Sequence, residues 1–273
     1  MDCGIAAIVF KRGISEEKDA RAYNAMNRLL QGVQHRGPLG CGVSVHNTLR
    51  GTGSYHKELG LVSQVFDSNN NPMEGDRAIG MTRYGTTGEA SEGTKIVLNK
   101  KEKRDKLLEE QQPFHHRDPN PWRDFSLVFN GQLTNHNELR DYFKREHHYE
   151  FLTGTDTEPL MHLLAEELRK NTTDNPNLID VFSDISRRAK GCYNIAFMDR
   201  RGRVAVFRDK NGFRPLSYAE NENIFAIASE TIALRKIGFK NNEMQFVNAG
   251  ELLVYDDKLK KFQLETGNKR CWC

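Results

Sequence analysis

Cys3 stands two residues from the chain start and directly before the apolar run Gly4-Ile5-Ala6-Ala7-Ile8-Val9-Phe10. If processing exposes it, one residue carries both a thiol and a free α-amino group. An amine with an ordinary pKa of about 7.7–8.0 is a suitable proton acceptor for a thiol near ~8.5. Nucleophile and base would then be combined, the terminal-amine form of an activated nucleophile. Taken alone, Cys3 reads first as a small hydrophobe entering a strand.

At three other positions the plain structural reading wins in isolation, with a chemical one beside it. Asn130-Gly131 follows the apolar run 125–129 and is the strongest short signal for a two-residue hairpin turn. The same pair could form an oxyanion hole, with the Asn130 amide and the Gly131 N–H aimed at a developing negative oxygen. Arg83 directly follows a buried-strand pattern, where a guanidinium could grip a carboxylate with two parallel hydrogen bonds or simply face solvent. Asp156, in Gly154-Thr155-Asp156-Thr157-Glu158, opens a helical pattern and could be an N-cap followed by an acidic first turn.

The elements that must hold these residues follow from apolar periodicity. Residues 4–10 read as a buried strand, and a helix is expected from about residue 16, with Ala22, Met26, Leu29 and Leu30 on one face. Short strands are expected at 43–45, 78–81 and 125–129. The polar stretch 92–123, with its run Asn99-Lys100-Lys101-Glu102-Lys103-Arg104, reads as a solvated insertion or surface helix. Helices are expected over 136–145, 158–169 and 178–189, and strands over 192–198, 204–208, 224–228 and 251–255. Arg200-Arg201-Gly202 and Lys210-Asn211-Gly212 supply turns. Two sets of strands separated by helices predict a layered sheet-and-helix domain and not a βαβ series.

Composition narrows the function classes. The 273 residues carry 40 Lys+Arg against 37 Asp+Glu, a net charge of +3, too even for a nucleic-acid binder working through bulk charge. With 37% hydrophobic residues the chain has enough apolar surface to fold. No apolar run approaches the ~20 residues of a membrane helix, and the N-terminus lacks a signal-peptide pattern. Five sparse cysteines, Cys3, Cys41, Cys192, Cys271 and Cys273, suit a reducing, cytoplasmic setting better than a disulfide framework. Cys41 and Cys192 read as core residues of strands. The pairs His115-His116 and His147-His148 lack the spacing of metal ligands and read as surface-loop or helix-end histidines.

Read in order, the motifs stop being independent. Met1-Asp2-Cys3-Gly4-Ile5, Gln34-His35-Arg36-Gly37-Pro38, the segment 60–66, Thr82-Arg83-Tyr84-Gly85-Thr86-Thr87-Gly88, Gln112-Pro113-Phe114, Asn130-Gly131-Gln132-Leu133-Thr134-Asn135 and Thr155-Asp156-Thr157-Glu158 succeed one another at sensible spacing. With Arg208-Asp209-Lys210-Asn211-Gly212-Phe213-Arg214-Pro215-Leu216 and Ala228-Ser229-Glu230-Thr231, the chain resembles the class II glutamine amidotransferases. Within them it is most similar to the glutaminase domain of the phosphoribosylpyrophosphate amidotransferases, over residues 3–268.

The resemblance implies an α+β fold of the N-terminal nucleophile hydrolase type, a four-layer αββα sandwich with two stacked antiparallel sheets between helical layers. It implies Cys3 as nucleophile with its freed amine as general base, and Asn130 and Gly131 as the oxyanion hole. Arg83 would bind the α-carboxylate of L-glutamine and Asp156 its α-ammonium. Tyr84 and Thr86 fall in the pocket-lining segment, and Arg36 falls where the family keeps an arginine near the cysteine. The implied reaction is hydrolysis of glutamine to glutamate and ammonia, the ammonia passing to a partner synthase.

Two departures accompany the likeness. Many relatives place the cysteine directly after Met, whereas here Asp2 intervenes and is not the small residue that methionine removal requires. A further cleavage of residues 1–2 is therefore expected. If Asp2 is retained, the Cys3 nitrogen is an amide and the alternative is a catalytically silent glutamine-binding or regulatory paralog. Relatives also continue past the position of residues 269–273 into a phosphoribosyltransferase domain that has no counterpart in this sequence. Some relatives hold an iron–sulfur cluster near that position, but Cys271-x-Cys273 lacks the remaining ligands, so no metal, cluster or other cofactor is expected. Neither nucleic acid nor membrane is an expected partner, and the oligomeric state is open, a homo-oligomer included.

Overall fold

A computed structural model describes residues 3–11, 19–66, 72–85, 99–171, 173–264 and 269–271. The first half runs β1 (Gly4–Phe10), α1 (Arg21–Gly32), β2 (Gly40–Asn47), β3 (Thr52–Leu59), the short α2 (Val62–Val65), β4 (Arg77–Arg83), α3 (Lys100–Glu109), β5 (Phe114–His116) and β6 (Phe125–Leu133). Three helices follow, α4 (His136–His147), α5 (Thr157–Lys170) and α6 (Leu178–Arg188). The second set of strands is β7 (Gly191–Asp199), β8 (Val204–Arg208), β9 (Ser217–Glu220) and β10 (Ile224–Ala228). After α7 (Thr231–Lys236) come β11 (Met244–Phe246), β12 (Glu251–Tyr255), β13 (Leu259–Leu264) and β14 (Lys269–Cys271).

The strands form two seven-stranded sheets, ordered β11-β9-β10-β1-β4-β2-β3 and β14-β13-β12-β8-β7-β6-β5. Every pairing described is antiparallel. Three apolar layers explain the sequence pattern of the central strands. In β1, Ala6 and Ile8 face α1 and α7, whereas Ile5, Ala7 and Val9 face the other sheet. A strand buried on both faces has no polar side, so β1 reads as a continuous apolar run. A third core packs α4, α5 and α6 on the outer face of the second sheet through Leu139, Phe143, Leu163, Phe182 and Ile185. The layer order is helix, sheet, sheet, helix, the expected α+β sandwich.

Several sequence expectations are met and some are revised. The helix at α1 carries the expected buried face, although residues 12–18 lie outside the described residues. The basic run starts α3, which buries no residue and is a surface helix capped by Asn99. Asn130-Gly131 is not a hairpin turn: β6 continues through both to Leu133, paired with Asn194 and Tyr193 of β7. His115-His116 is also not a surface loop, since it forms β5 and is half-buried. His147 and His148 do close α4, with His148 in the left-handed region at φ 53°. Cys41 is buried in β2, and Cys192 is half-buried in β7. Edge strand β3 was missed because its exposed sequence, Thr-Gly-Ser-Tyr-His-Lys-Glu-Leu, shows no apolar alternation.

Candidate active site

Cys3 enters the inter-sheet core at the start of β1 and is partly buried against it. The Ile5 N–H donates to Ser229 Oγ at 3.0 Å, and the Ser229 N–H returns to the Ile5 carbonyl at 2.9 Å. At Gly4, a Cβ would lie 2.7 Å from the Val33 side chain and 2.9 Å from Thr82 Oγ1, so only glycine permits this close approach of β1 to its neighbours. The Tyr84 N–H reaches Cys3 Sγ at 3.5 Å, a donor that favours thiolate over thiol. Arg36 donates from Nε to the Cys3 carbonyl at 3.0 Å and from Nη1 to Glu230 at 2.7 Å, so it fixes the backbone of the cysteine. Burial opposes ionisation of Glu230, but hydrogen bonds and charge from Arg36 and His35 prevail and hold its carboxyl below its usual range.

Asn130 is 1% exposed, and its Nδ2 is buried without a hydrogen-bond partner. An orphaned buried donor costs roughly 1–3 kcal/mol, and a group kept at that cost calls for a ligand or a chemical role. Its Oδ1 faces Arg214, whose Nη1 lies at 3.5 Å and whose Nε donates to the Cys192 carbonyl at 2.9 Å. The cation therefore fixes which end of the amide is the donor. Gly131 has no room for a side chain, because a Cβ there would lie 2.2 Å from Tyr193 Cβ. Gln112 locks the strand just before this pair: its Oε1 accepts from the Phe129 N–H at 2.6 Å, and its Nε2 donates to Thr157 Oγ1 at 3.0 Å.

Thr157 starts α5, so Gln112 also ties Asn130 to the segment carrying Asp156. Asp156 has the position of an N-cap but makes no side-chain capping bond. Its Oδ2 instead accepts from the Leu133 N–H at 2.9 Å, across to the end of β6. Burial pushes its carboxyl above the usual carboxylate range, against the Leu133 N–H and the charges of His136 and Arg214. The approach to Asp156 is held by Arg140, which donates to the Thr153 and Thr155 carbonyls, and by Glu158, which accepts from the Leu152 and Thr153 N–H groups. The cluster thus brings Asn130, Gly131 and Asp156 to one end of β6, while Cys3 and Tyr84 meet at the corresponding ends of β1 and β4.

Arg83 is not on the surface. It is buried at the end of β4 and pairs with buried Glu110 at 2.7 Å, and its Nη1 donates to the Leu107 carbonyl at 3.0 Å. An internal carboxylate thus engages the side chain expected to grip a carboxylate ligand. Thr86 lies outside the described residues. Sequence reasoning assigned no role to Arg214 or Gln112, although both fall within the quoted motifs. The signal for Arg214 was the stretch Arg208–Leu216 itself, whose Arg-x-x-x-Gly-x-Arg pattern is too polar for a strand and too long for a plain turn. Among the described residues no cluster of His, Cys, Asp or Glu could hold a metal ion.

Comparison with known proteins gives a consistent set of likenesses. A family described as a glutamine amidotransferase domain matches residues 99–236. The amidophosphoribosyltransferase of Methanothermobacter thermautotrophicus is 30% identical over 92% of this chain and 46% of its own length. That of Escherichia coli is 31% identical over 87% of this chain and 43% of its own. Among solved structures, glutamine phosphoribosylpyrophosphate amidotransferase from B. subtilis, complexed with ADP and GMP, superposes with a TM-score of 0.75 at 26% identity. It is matched by 97% of this chain over 50% of its own. The chain spans about half the length of the relatives it matches.

Proposed function

The chain belongs to the class II glutamine amidotransferases, and from that premise we propose that it hydrolyses L-glutamine to glutamate and ammonia through a thioester on Cys3. The observation that carries this reading is the buried, unpartnered Nδ2 of Asn130, with its opposite end held by Arg214. In the proposed reaction the thiolate of Cys3 attacks the carboxamide carbon, and the carbonyl π pair moves onto oxygen. Asn130 Nδ2 and the Gly131 N–H stabilise that oxyanion. The freed α-amine of Cys3, having taken the thiol proton, delivers it to the leaving nitrogen as the C–N bond breaks. Water attacks the thioester, the same amine takes its proton, and glutamate leaves with the thiol restored.

Asp156 and Arg83 would recognise the amino-acid end of the substrate, Asp156 through the ammonium and Arg83 through the carboxylate. Tyr84 would contribute its N–H to the sulfur, and Thr86 belongs to the same proposed pocket segment. Ammonia is passed to an acceptor synthase, on a partner subunit or a further domain. The test compares protein whose Cys3 amine is shown free by intact mass with protein retaining Met1-Asp2. Glutamate release is expected from the first and not the second, and an electrophilic glutamine analogue should add mass to Cys3 of the first alone. Protein with a free amine that neither turns over nor is labelled, alone or with its synthase, would sink the proposal.

Asp2 ahead of Cys3 favours a second reading, a glutamine-binding module without turnover, because with Asp2 retained the Cys3 nitrogen is an amide and not a base. It predicts that glutamine binds with no glutamate formed and that Met1-Asp2 stays attached in the native host.

A further inference from the structure

A second polar site lies at the other end of the sandwich. There the edge strands β3 and β5 flank a cavity of about 140 Å³, well beyond the ~15 Å³ a single water needs. It is floored by Ser44 of β2 and Ser126 of β6, and walled by Tyr55 and His115. Ser126 stands four residues before Asn130 on β6, about 13 Å at ~3.3 Å per residue. The cavity is therefore separate from the cluster around Cys3.

The floor is a hydrogen-bonded chain. Ser44 Oγ lies 2.9 Å from Ser126 Oγ, which lies 2.9 Å from His115 Nδ1. Tyr55 stacks on the His115 ring at 3.8 Å between centroids, and His115 Nε2 is buried without a partner. Each hydroxyl has one proton to give. If the chain donates from Ser44 to Ser126 to His115 Nδ1, the proton of the neutral ring resides on Nε2, which becomes a donor.

Charge at the cavity favours an anion. Arg117 and Arg200 line it, and neither has an ion-pair partner among the described residues. Of the two carboxylates that also line it, Asp199 is neutralised by a cation and Asp124 keeps its charge. Asp199 pairs with Arg203 at 2.7 Å, and Asp124 accepts from the Asp118 N–H at 2.8 Å. His46 and His116, the other histidines of the lining, are held below the usual imidazole range chiefly by burial. The balance of Arg117 and Arg200 against Asp124 is one positive charge, set beside an imidazole whose Nε2–H can donate.

We propose that this cavity binds a phosphate-sized oxyanion, held by Arg117 and Arg200 with His115 beneath it. The proposal is independent of the reaction at Cys3. The experiment titrates the ¹⁵N-histidine-labelled protein with inorganic phosphate and with glycerol 2-phosphate, against sodium chloride at matched ionic strength. Saturable movement of the His115 ring nitrogens is expected with phosphate and not with chloride. In the R117A/R200A variant, both positions being exposed, the affinity should fall at least tenfold while glutamine hydrolysis is unchanged. Binding of the monoester as well as free phosphate would make the ligand a phosphorylated metabolite, and binding of phosphate alone would make it the free ion. Absence of saturable movement at His115, or identical titrations of the two proteins, would overturn the proposal.

Discussion

Asn130 separates chemistry from folding at a single side chain. Its Nδ2 has no partner among the described residues and its Oδ1 accepts from Arg214 at 3.5 Å, so truncating the side chain deletes one long internal hydrogen bond. Asn130→Ala is expected to lower kcat by 10²–10³, roughly 2.7–4 kcal/mol of barrier, with KM for glutamine nearly constant. Steady-state kinetics beside a thermal melt would check this, since a purely structural asparagine would lose stability and leave kcat alone. Asp156 gives a pH signature. Burial raises its carboxyl above the usual range, so on acidification it takes up a proton earlier than an ordinary carboxylate and loses its attraction for an ammonium. Hence kcat/KM for glutamine should fall on the acid side, beginning above the usual carboxylate range, and Asp156→Asn should lose most activity at all pH and flatten that limb. The same shift has a stability sign. The ionised form is penalised in the folded state wherever pH exceeds the folded pKa, so Asp156→Asn is expected to raise Tm at neutral pH even as it abolishes function.

At the level of elements, β6 is the member on which the site depends, and Gly131 is its most constrained point. A Cβ there would sit 2.2 Å from Tyr193 Cβ and 2.7 Å from its Cα, atoms of the paired strand that cannot swing aside. Gly131→Ala should therefore cost about 1–3 kcal/mol or more by forcing β6 from β7, read as a lower urea midpoint. The α3–β5 connection matters in a different way. Breaking a buried ion pair leaves an uncompensated charge, so Glu110→Ala should destabilise by about 3–5 kcal/mol. Arg83→Lys keeps the charge but loses the planar fork, so it is expected to raise KM for glutamine more than it lowers kcat. The elements differ in how legible they were. β1 announced itself because burial on both faces removes every polar residue, and α5 and α6 because one face is apolar. The Asn130-Gly131 pair misled as a turn, because local propensity favours a hairpin and only the pairing with Asn194 and Tyr193 keeps the strand extended. Asp156 was legible as a helix-start residue, but its bond to Leu133 is a tertiary fact with no local signature. The partner of Arg83 was hidden for the same reason, since Glu110 lies 27 residues further along the chain in a polar stretch.

Across the whole molecule, burial extends to groups that the proposed reaction does not use, and three histidines set how the fold responds to acid. His46 is held down to about 4, His115 to about 3 and His162 to about 4, in each case chiefly by burial and further by neighbouring cations, Arg77 and Arg200 for His46, Lys57 and Arg117 for His115, and Arg169 and Arg140 for His162. They sit in β2, β5 and α5, so the effect belongs to the sandwich as a whole. In the unfolded chain each titrates near its ordinary value of about 6.5. Below that pH the unfolded state binds protons that the folded state refuses, and stability falls with pH. The loss should begin near pH 6.5 and continue to about pH 4, these three groups giving a slope of up to about 4 kcal/mol per pH unit at ~1.4 kcal/mol per proton, to which His116, also lowered by burial, adds. Urea unfolding at pH 7.5, 6 and 5 measures it directly. A midpoint that falls steadily over that range is expected, and His46→Gln should shallow the slope by about one proton. Inorganic phosphate should also steady the protein between pH 6 and 5, because an anion over His115 favours the protonated ring in the folded state. A midpoint independent of pH down to 5 would show that the three rings are hydrated and ordinary, contrary to their burial.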